Sequence, residues 1–322
     1  MTFSEALNII NEEIRLLEYP HNQSRLYDPI AYILALKGKK IRPALTLLSC
    51  SMYRNDVKEA INAALAWEIF HNFTLMHDDV MDKADIRRGQ ATVHKKWDEN
   101  TAILSGDAML ILSYIYMAKS SSENLKALLD LFSDTAAKIC EGQQFDMEFE
   151  KRINISEDEY IKMIKLKTAV MLGACLKSGA IVGGANENDQ ENLYDFGINL
   201  GIAFQIKDDW LDVYGNPEIF GKKIGGDILC NKKTFLLVNA LEKADGNNKQ
   251  ELLHWINNET QSEEKISAIR QLYDRLSISE ITQLELQKYY TQAINALNKV
   301  SIKNDRKKAL EDIAGELIGR EK

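Results

Sequence analysis

Proline is scarce in this chain. There are four in 322 residues, Pro20, Pro29, Pro43 and Pro217, so residues 44 to 216 contain none. Proline removes a backbone donor and clashes with the preceding helical turn. A stretch that long without it, with apolar residues recurring every three or four positions, predicts long helices. Period-two alternation is missing as well, so nothing argues for a sheet. The four cysteines, Cys50, Cys140, Cys175 and Cys230, lack the paired spacing of a zinc site and read as reduced core residues. The five histidines form no HExxH, and "ELLH" at 251–254 is the single ExxH, where a di-iron bundle needs two. GxxxxGK[ST] and GxGxxG are both absent, which leaves a nucleotide-phosphate reading without support. The start, "MTFSEALNIINEEIRLLE", lacks the positive end and apolar block of a signal peptide, and a cytoplasmic location is expected. "AMLILSYIYMA" (108–118) is too short to span a bilayer, and "TAVMLGACLKSGAIVGGA" (168–185) is interrupted by Lys177. Both read as buried helices, with no membrane span. A net charge of −8 offers no basic face for nucleic acid or an anionic membrane.

What is present is helical pattern. Helices are expected near 2–18, 27–36, 42–53, 57–82, 101–119, 122–150, 157–165, 167–185, 189–213, 231–243, 247–257, 262–276, 279–298 and 303–319. Turn-rich breaks fall at 216–227 and 243–250. No linker or low-complexity tract divides the chain, which reads as one all-α domain over residues 1–322.

Charge is then found where helices end. "LMHDDVMD" carries Asp78, Asp79 and Asp82 at the close of an apolar helix, and "FQIKDDWLD" repeats the spacing with Asp208, Asp209 and Asp212. Carboxylates four apart on one helix face repel unless a cation offsets them. Two clusters with one spacing, facing each other across a cleft, would form a site that only cations could neutralise. All-oxygen ligation selects a hard ion such as magnesium, which keeps waters and completes its shell with phosphate oxygens. Basic residues stand at the helix junctions to meet such a ligand: "GKKIRP" (38–43), Arg87 and Arg88, Lys167 with Thr168, and "GKKIGGDILCNKKT" (221–234).

These segments, in this order and approximate spacing, resemble the trans-isoprenyl diphosphate synthases of the polyprenyl synthetase family over roughly residues 35 to 320. The resemblance implies a single all-α helical bundle around a deep central cavity, usually a homodimer. It also implies three magnesium ions and condensation of isopentenyl diphosphate with an allylic diphosphate. By the same resemblance Asp78 and Asp82 hold two ions and Asp208 the third, with Asp79, Asp209 and Asp212 supporting. Arg87, Lys167, Lys222 and Lys232 cradle the allylic diphosphate, and Lys167, Thr168 and Gln205 face the developing cation. Gly38, Lys39, Arg42, His71 and Arg88 hold isopentenyl diphosphate without metal, and Gln143 and Asp146 play structural parts. One departure stands out: the family often has Gly-Gly-Lys-Arg where this chain has "KGKK", with Lys37 for the first glycine and Lys40 for the arginine.

The product tail is expected to run back along the helix that carries Asp78. Phe73 lies five residues before Asp78, about 7.5 Å along the axis, and its stripe continues through Phe70 and Ile69 to Ala66. One aromatic at Phe73, a small Thr74 beside it and no insertion within "DDVMD" resemble twenty-carbon producers, hence geranylgeranyl diphosphate, with farnesyl diphosphate the alternative. A class I terpene cyclase would lack the second full aspartate cluster and the "GKKIRP" residues. A non-catalytic synthase subunit would lack aspartates, and none is missing here.

Overall fold

The computed structural model describes residues 1–20, 23–216, 224–258 and 262–319. Its helices are α1 (Phe3–Arg15), α2 (Ser24–Ala35), α3 (Ile41–Ser51), α4 (Lys58–Met81), α5 (Val93–Lys96), α6 (Glu99–Ala118), α7 (Ser122–Glu150) and α8 (Glu157–Ile164). A π-helical turn, Lys165–Ala169, leads into α9 (Val170–Gly183) and α10 (Glu187–Tyr214). There follow α11 (Gly226–Leu229), α12 (Phe235–Lys243), α13 (Gly246–Asn257), α14 (Glu263–Arg275), α15 (Ile278–Lys299) and α16 (Asn304–Ile318). Starts are set by local chemistry. Thr2 with Glu5 and Ser156 with Glu159 form capping boxes, and Asp98, Thr234 and Ser262 accept a backbone N–H at the heads of α6, α12 and α14.

The all-α expectation holds, with one small exception. Ile86–Arg87 (β1) pairs antiparallel with Gln90–Ala91 (β2). Strands of two residues are too short for a period of two to register in sequence. Arg88 and Gly89 between them have φ of 52° and 77°, the left-handed pair that a two-residue hairpin turn needs.

The described residues gather into two compact units. The first comprises Met1–Asp134, Ala174–Tyr194 and Val300–Leu310, and the second Thr135–Gly173, Asp195–Lys299 and Glu311–Lys322. In the first unit α4 packs on α3 and α6, and α2 on α6, around a core that includes Ile30, Ile33, Ile69, Met76 and Met109. The later part of α9 closes on α4 and α3: Trp67 donates to Ser178 at 3.0 Å, and Ser49 to the Leu176 carbonyl at 2.6 Å. In the second unit α8 and α15 pack on α12, and α13 on α14. Close backbone approach there requires glycine. A Cβ on Gly142 would come within 2.3 Å of the Lys167 nitrogen, and one on Gly197 within 2.6 Å of Gly173.

Two expectations about the interior are corrected. Cys140 and Cys230 are exposed, and only Cys50 and Cys175 are buried; a lone cysteine on a helix surface or in a turn carries no pattern that separates it from a core one. Both apolar runs read as buried belong to helical runs long and apolar enough to cross a membrane by length and composition. The apolar window within Glu157–Gly183 is 78% buried inside the chain, but that within Glu99–Ala118 only 33%. Along α6, Ile103, Leu104, Ile111 and Ile115 remain exposed.

Candidate active site

The first aspartate cluster closes α4. Asp79 is 2% exposed, and its Oδ1 accepts from Arg87 Nε at 2.9 Å and Nη2 at 2.5 Å. The β1–β2 hairpin thus supplies the charge that lets a carboxylate be buried. Asp78 is half-buried, and Asp82, the residue that caps α4, is exposed. The central aspartate is committed to Arg87, and the outer two lie on the accessible side.

Several residues of the expected basic pocket lie near one another within the same unit. Arg42 Nη1 lies 3.1 Å from His71 Nε2. A guanidinium can only donate, so His71 accepts at Nε2 and carries its proton on Nδ1. Burial, then Arg42, Arg88 and Arg87, hold the imidazole well below its ordinary value, so it stays neutral. Gly38 lies against Arg88: a Cβ there would meet the guanidinium carbon at 2.7 Å. Lys40 joins this group, with burial lowering its pKa, Glu68 raising it and Arg88 lowering it. Lys39 sits exposed in the turn before α3. Gly38, Arg42, His71 and Arg88 are therefore brought together, with Lys40 and the buried Glu68 as members the sequence did not single out for this pocket.

The aromatic stripe divides. Phe73 is half-buried with its ring 5.4 Å from Phe70 and 4.8 Å from His77. Phe70 turns to Phe132 of α7 at 5.2 Å, and Phe132 to Trp67 at 4.7 Å and Tyr114 at 4.8 Å. Ile69 lines a cavity of about 130 Å³ with Leu34, Leu112 and Tyr116, in the core cluster against which Phe73 also packs. Neighbours on a helix are about 100° apart, so Ile69 and Phe70 diverge while Phe73 meets both. The Thr74 hydroxyl donates to the His71 carbonyl at 2.8 Å, back onto its own helix. Phe132 and Tyr114 were not legible from α4 alone, because they come from other helices.

The second unit repeats the central-aspartate arrangement with different partners. Asp209 is 4% exposed, and its Oδ2 accepts from the Tyr160 hydroxyl at 2.5 Å and from the Phe235 N–H at 2.8 Å. Burial drives its carboxyl up to about 7, against Lys232, Tyr160 and the Phe235 N–H, which pull it down. Asp208 and Asp212 are half-buried, and Asp212 Oδ2 accepts from the Asp227 N–H at 3.0 Å. Lys232 lies 3.5 Å from Asp227. Burial opposes its charge, but Asp227, Asp209 and Asp146 outweigh burial and hold the ammonium protonated. Lys167 donates to Asp146 at 2.5 Å. Lys167 and Thr168 both lie in the π-helical turn, a local irregularity that recurs at functional sites. Gln205 is half-buried on α10, one turn before Asp208 and Asp209. Lys222 lies outside the described residues.

Among the described residues no three carboxylate, imidazole or thiol side chains converge as a ready-made metal site. The donor chemistry nevertheless fits a hard cation: the accessible members of both clusters are carboxylates, with no cysteine among them. The two central aspartates are taken by Arg87 and by Tyr160 with Phe235.

Comparison with known proteins identifies a family. The family model described as polyprenyl synthetase matches residues 23–273. A geranylgeranyl diphosphate synthase of Sulfolobus acidocaldarius is 37% identical over 99% of this chain and 98% of that protein. Among solved structures, a geranylgeranyl pyrophosphate synthase is 44% identical with a TM-score of 0.95 over the whole of both chains. A geranylgeranyl pyrophosphate synthetase from Pyrococcus horikoshii is 32% identical with a TM-score of 0.93, over 99% of this chain and 97% of that one. The chain belongs to the polyprenyl synthetase family and is a prenyltransferase.

Proposed function

We propose that this chain extends an allylic diphosphate with isopentenyl diphosphate, head to tail, to all-trans geranylgeranyl diphosphate. Condensation to a short-chain prenyl diphosphate is the reaction the family supports. The observation that carries the product length is Phe73: a single half-buried ring before Asp78, with Thr74 beside it small and turned back onto its own helix. The names of similar proteins support the twenty-carbon product as well. Farnesyl diphosphate is the second reading.

The family is generally magnesium-dependent. Asp78, Asp82 and Asp208 would hold three ions, with Asp79, Asp209 and Asp212 fixing the surrounding groups. Bound magnesium supplies positive charge to the leaving diphosphate. Arg87, Lys167, Lys222 and Lys232 bind that diphosphate, arginine through two parallel donors and lysine as a point charge. Lys167, Thr168 and Gln205 face the carbon that becomes positive. Gly38, Lys39, Arg42, His71 and Arg88 hold isopentenyl diphosphate through its own diphosphate. The released diphosphate is the acceptor for the final proton. The two units act as one domain over 1–322, a reading supported by a chain that alternates between them in six segments. The exposed apolar side chains of α6 support a homodimer. The enzyme works in the cytoplasm, with no nucleic-acid partner and no membrane span.

The deciding experiment incubates the purified chain with isopentenyl diphosphate and each allylic primer, with magnesium or EDTA, and sizes products by mass spectrometry. A twenty-carbon main product that disappears in EDTA supports the proposal. A fifteen-carbon product establishes the second reading, and full activity in EDTA overturns the metal assignment.

A further inference from the structure

Three cations act on one buried carboxylate in the first unit without bonding to it directly. Glu68 on α4 is 2% exposed, and Lys40, Arg42 and Arg88 all lie within its electrostatic reach. The cations disturb one another: after burial and the opposing pull of nearby Glu68, Arg88 depresses both Lys40 and Arg42. Two of them sit on unusual backbone. Lys40 has φ 43° and Arg88 φ 52°, a left-handed region that side-chain-bearing residues enter only when their surroundings hold them there. His71 is neutral, and the buried Cys175 thiol, which also faces Arg42, is pushed up to about 12, chiefly by burial. Neither offsets the positive charge. Glu68 can. One of its oxygens, Oε1, is fixed by the Asn72 amide at 3.0 Å. Among the described residues, Oε2 of Glu68 and Nε of Arg42 are buried without a hydrogen-bond partner, so the bonding of this cluster is incomplete as it stands.

We propose that Glu68 is the internal counter-ion that positions Lys40, Arg42 and Arg88 to receive the diphosphate of isopentenyl diphosphate. The idea rests on the pocket assignment made above and adds a residue that touches no substrate. Glu68, His71 and Asn72 stand at i, i+3 and i+4 on one face of α4, so the helix that carries the first aspartate cluster also carries the group that organises this pocket. One negative charge among three positive ones leaves the pocket cationic, while giving the three a common centre that keeps them from spreading apart. An uncompensated trio would swing toward water, and an anion entering later would have to gather it again.

The test is Glu68→Gln, which keeps the shape and removes the charge. The KM for isopentenyl diphosphate should rise about tenfold, while kcat and the KM for the allylic partner stay within about twofold. Glu68→Asp, which restores the charge on a shorter arm, should recover part of the loss. Asn72→Ala, which removes the amide that donates to Oε1 and to the Glu68 carbonyl, should raise the same KM about threefold, and it serves if Glu68→Gln does not fold. An unchanged or lowered KM for isopentenyl diphosphate in Glu68→Gln, or in Asn72→Ala should that be needed, overturns the proposal, since a carboxylate that merely opposes the anion would give that result. An equal rise in both KM values overturns it as well, because that is what general distortion produces. A wild-type chain with no turnover of isopentenyl diphosphate overturns the functional reading itself.

Discussion

The two aspartate clusters share one sequence spacing and one plan of burial, but they are stabilised by different chemistry. In each, the central aspartate is buried and the outer two are more accessible. Asp79 is held by a guanidinium that a hairpin delivers, whereas Asp209 is held by a phenol and a backbone N–H. A cation offsets the charge of a buried carboxylate directly, and a neutral donor offsets less of it. At Asp209 burial outweighs both of these donors and the more distant charge of Lys232, and the carboxyl holds its proton up to about 7. Identical motifs therefore do not imply identical electrostatics: the partner that each fold region supplies decides them.

The largest expected effects test what the clusters share. Asp78→Ala and Asp208→Ala should each lower kcat by about a thousandfold or more, because each removes a proposed ligand of the ions that neutralise the leaving group. A cluster whose outer aspartate can be lost with less than a tenfold change is not part of the metal machinery, and the likeness between the two then ends at burial.

Stability tests what they do not share. Arg87→Ala leaves Asp79 buried without its cation and should cost about 2–3 kcal/mol, below the full value for a buried pair because Arg87 is partly exposed. Tyr160→Phe leaves Asp209 the Phe235 N–H and should cost about 1–2 kcal/mol. Urea denaturation of the metal-free protein measures both. Equal losses would mean that the ionic and neutral partners do equivalent work.

Product length tests the aromatic region behind the first cluster. Phe73→Ala should lengthen the main product by one or two five-carbon units, and Phe73→Ala with Phe70→Ala should release longer chains still. Mass spectrometry of the extracted products reads this directly. If the single variant already gives the longest chains, the cavity beside Ile69 and Tyr116, rather than the Phe70–Phe132 contact, receives the tail.

A last test is the pH dependence of stability in the metal-free protein, where the two units should respond with opposite sign. Folded His71 stays neutral while the unfolded chain takes up a proton below about 6.5, so its contribution is lost as pH falls. His71→Gln should remove a loss of about 1 kcal/mol at pH 5.5. Folded Asp209 keeps its proton up to about 7, against 3.8 unfolded. That contribution is full below 3.8 and is lost as pH rises toward 7, so Asp209→Asn should flatten the decline over that window. Thermal melts across pH 4 to 8 compare the two, and slopes of the same sign in both variants would contradict the distinction.

Much of this protein was legible in its sequence. The absence of proline between residues 44 and 216 and the three-to-four-residue apolar period fix long helices, because those rules act within a few residues of chain. α7 was predicted at 122–150 and is observed there. The aspartates, "GKKIRP" and the paired arginines carry the functional reading for a similar reason: charge at a helix end is costly enough to signal use. What each charge touches depends on residues far away in the chain. Asp209 meets Tyr160 from 49 positions earlier, and Phe70 meets Phe132 from 62 positions later. The π-helical turn under Lys167 and Thr168, the left-handed backbone at Lys40 and Arg88, and the exposure of α6 are likewise settled by packing. Helical period and charge type are local properties that sequence determines by itself. Burial, pairing and the resulting proton affinities are properties of neighbours, and only the tertiary structure decides who they are.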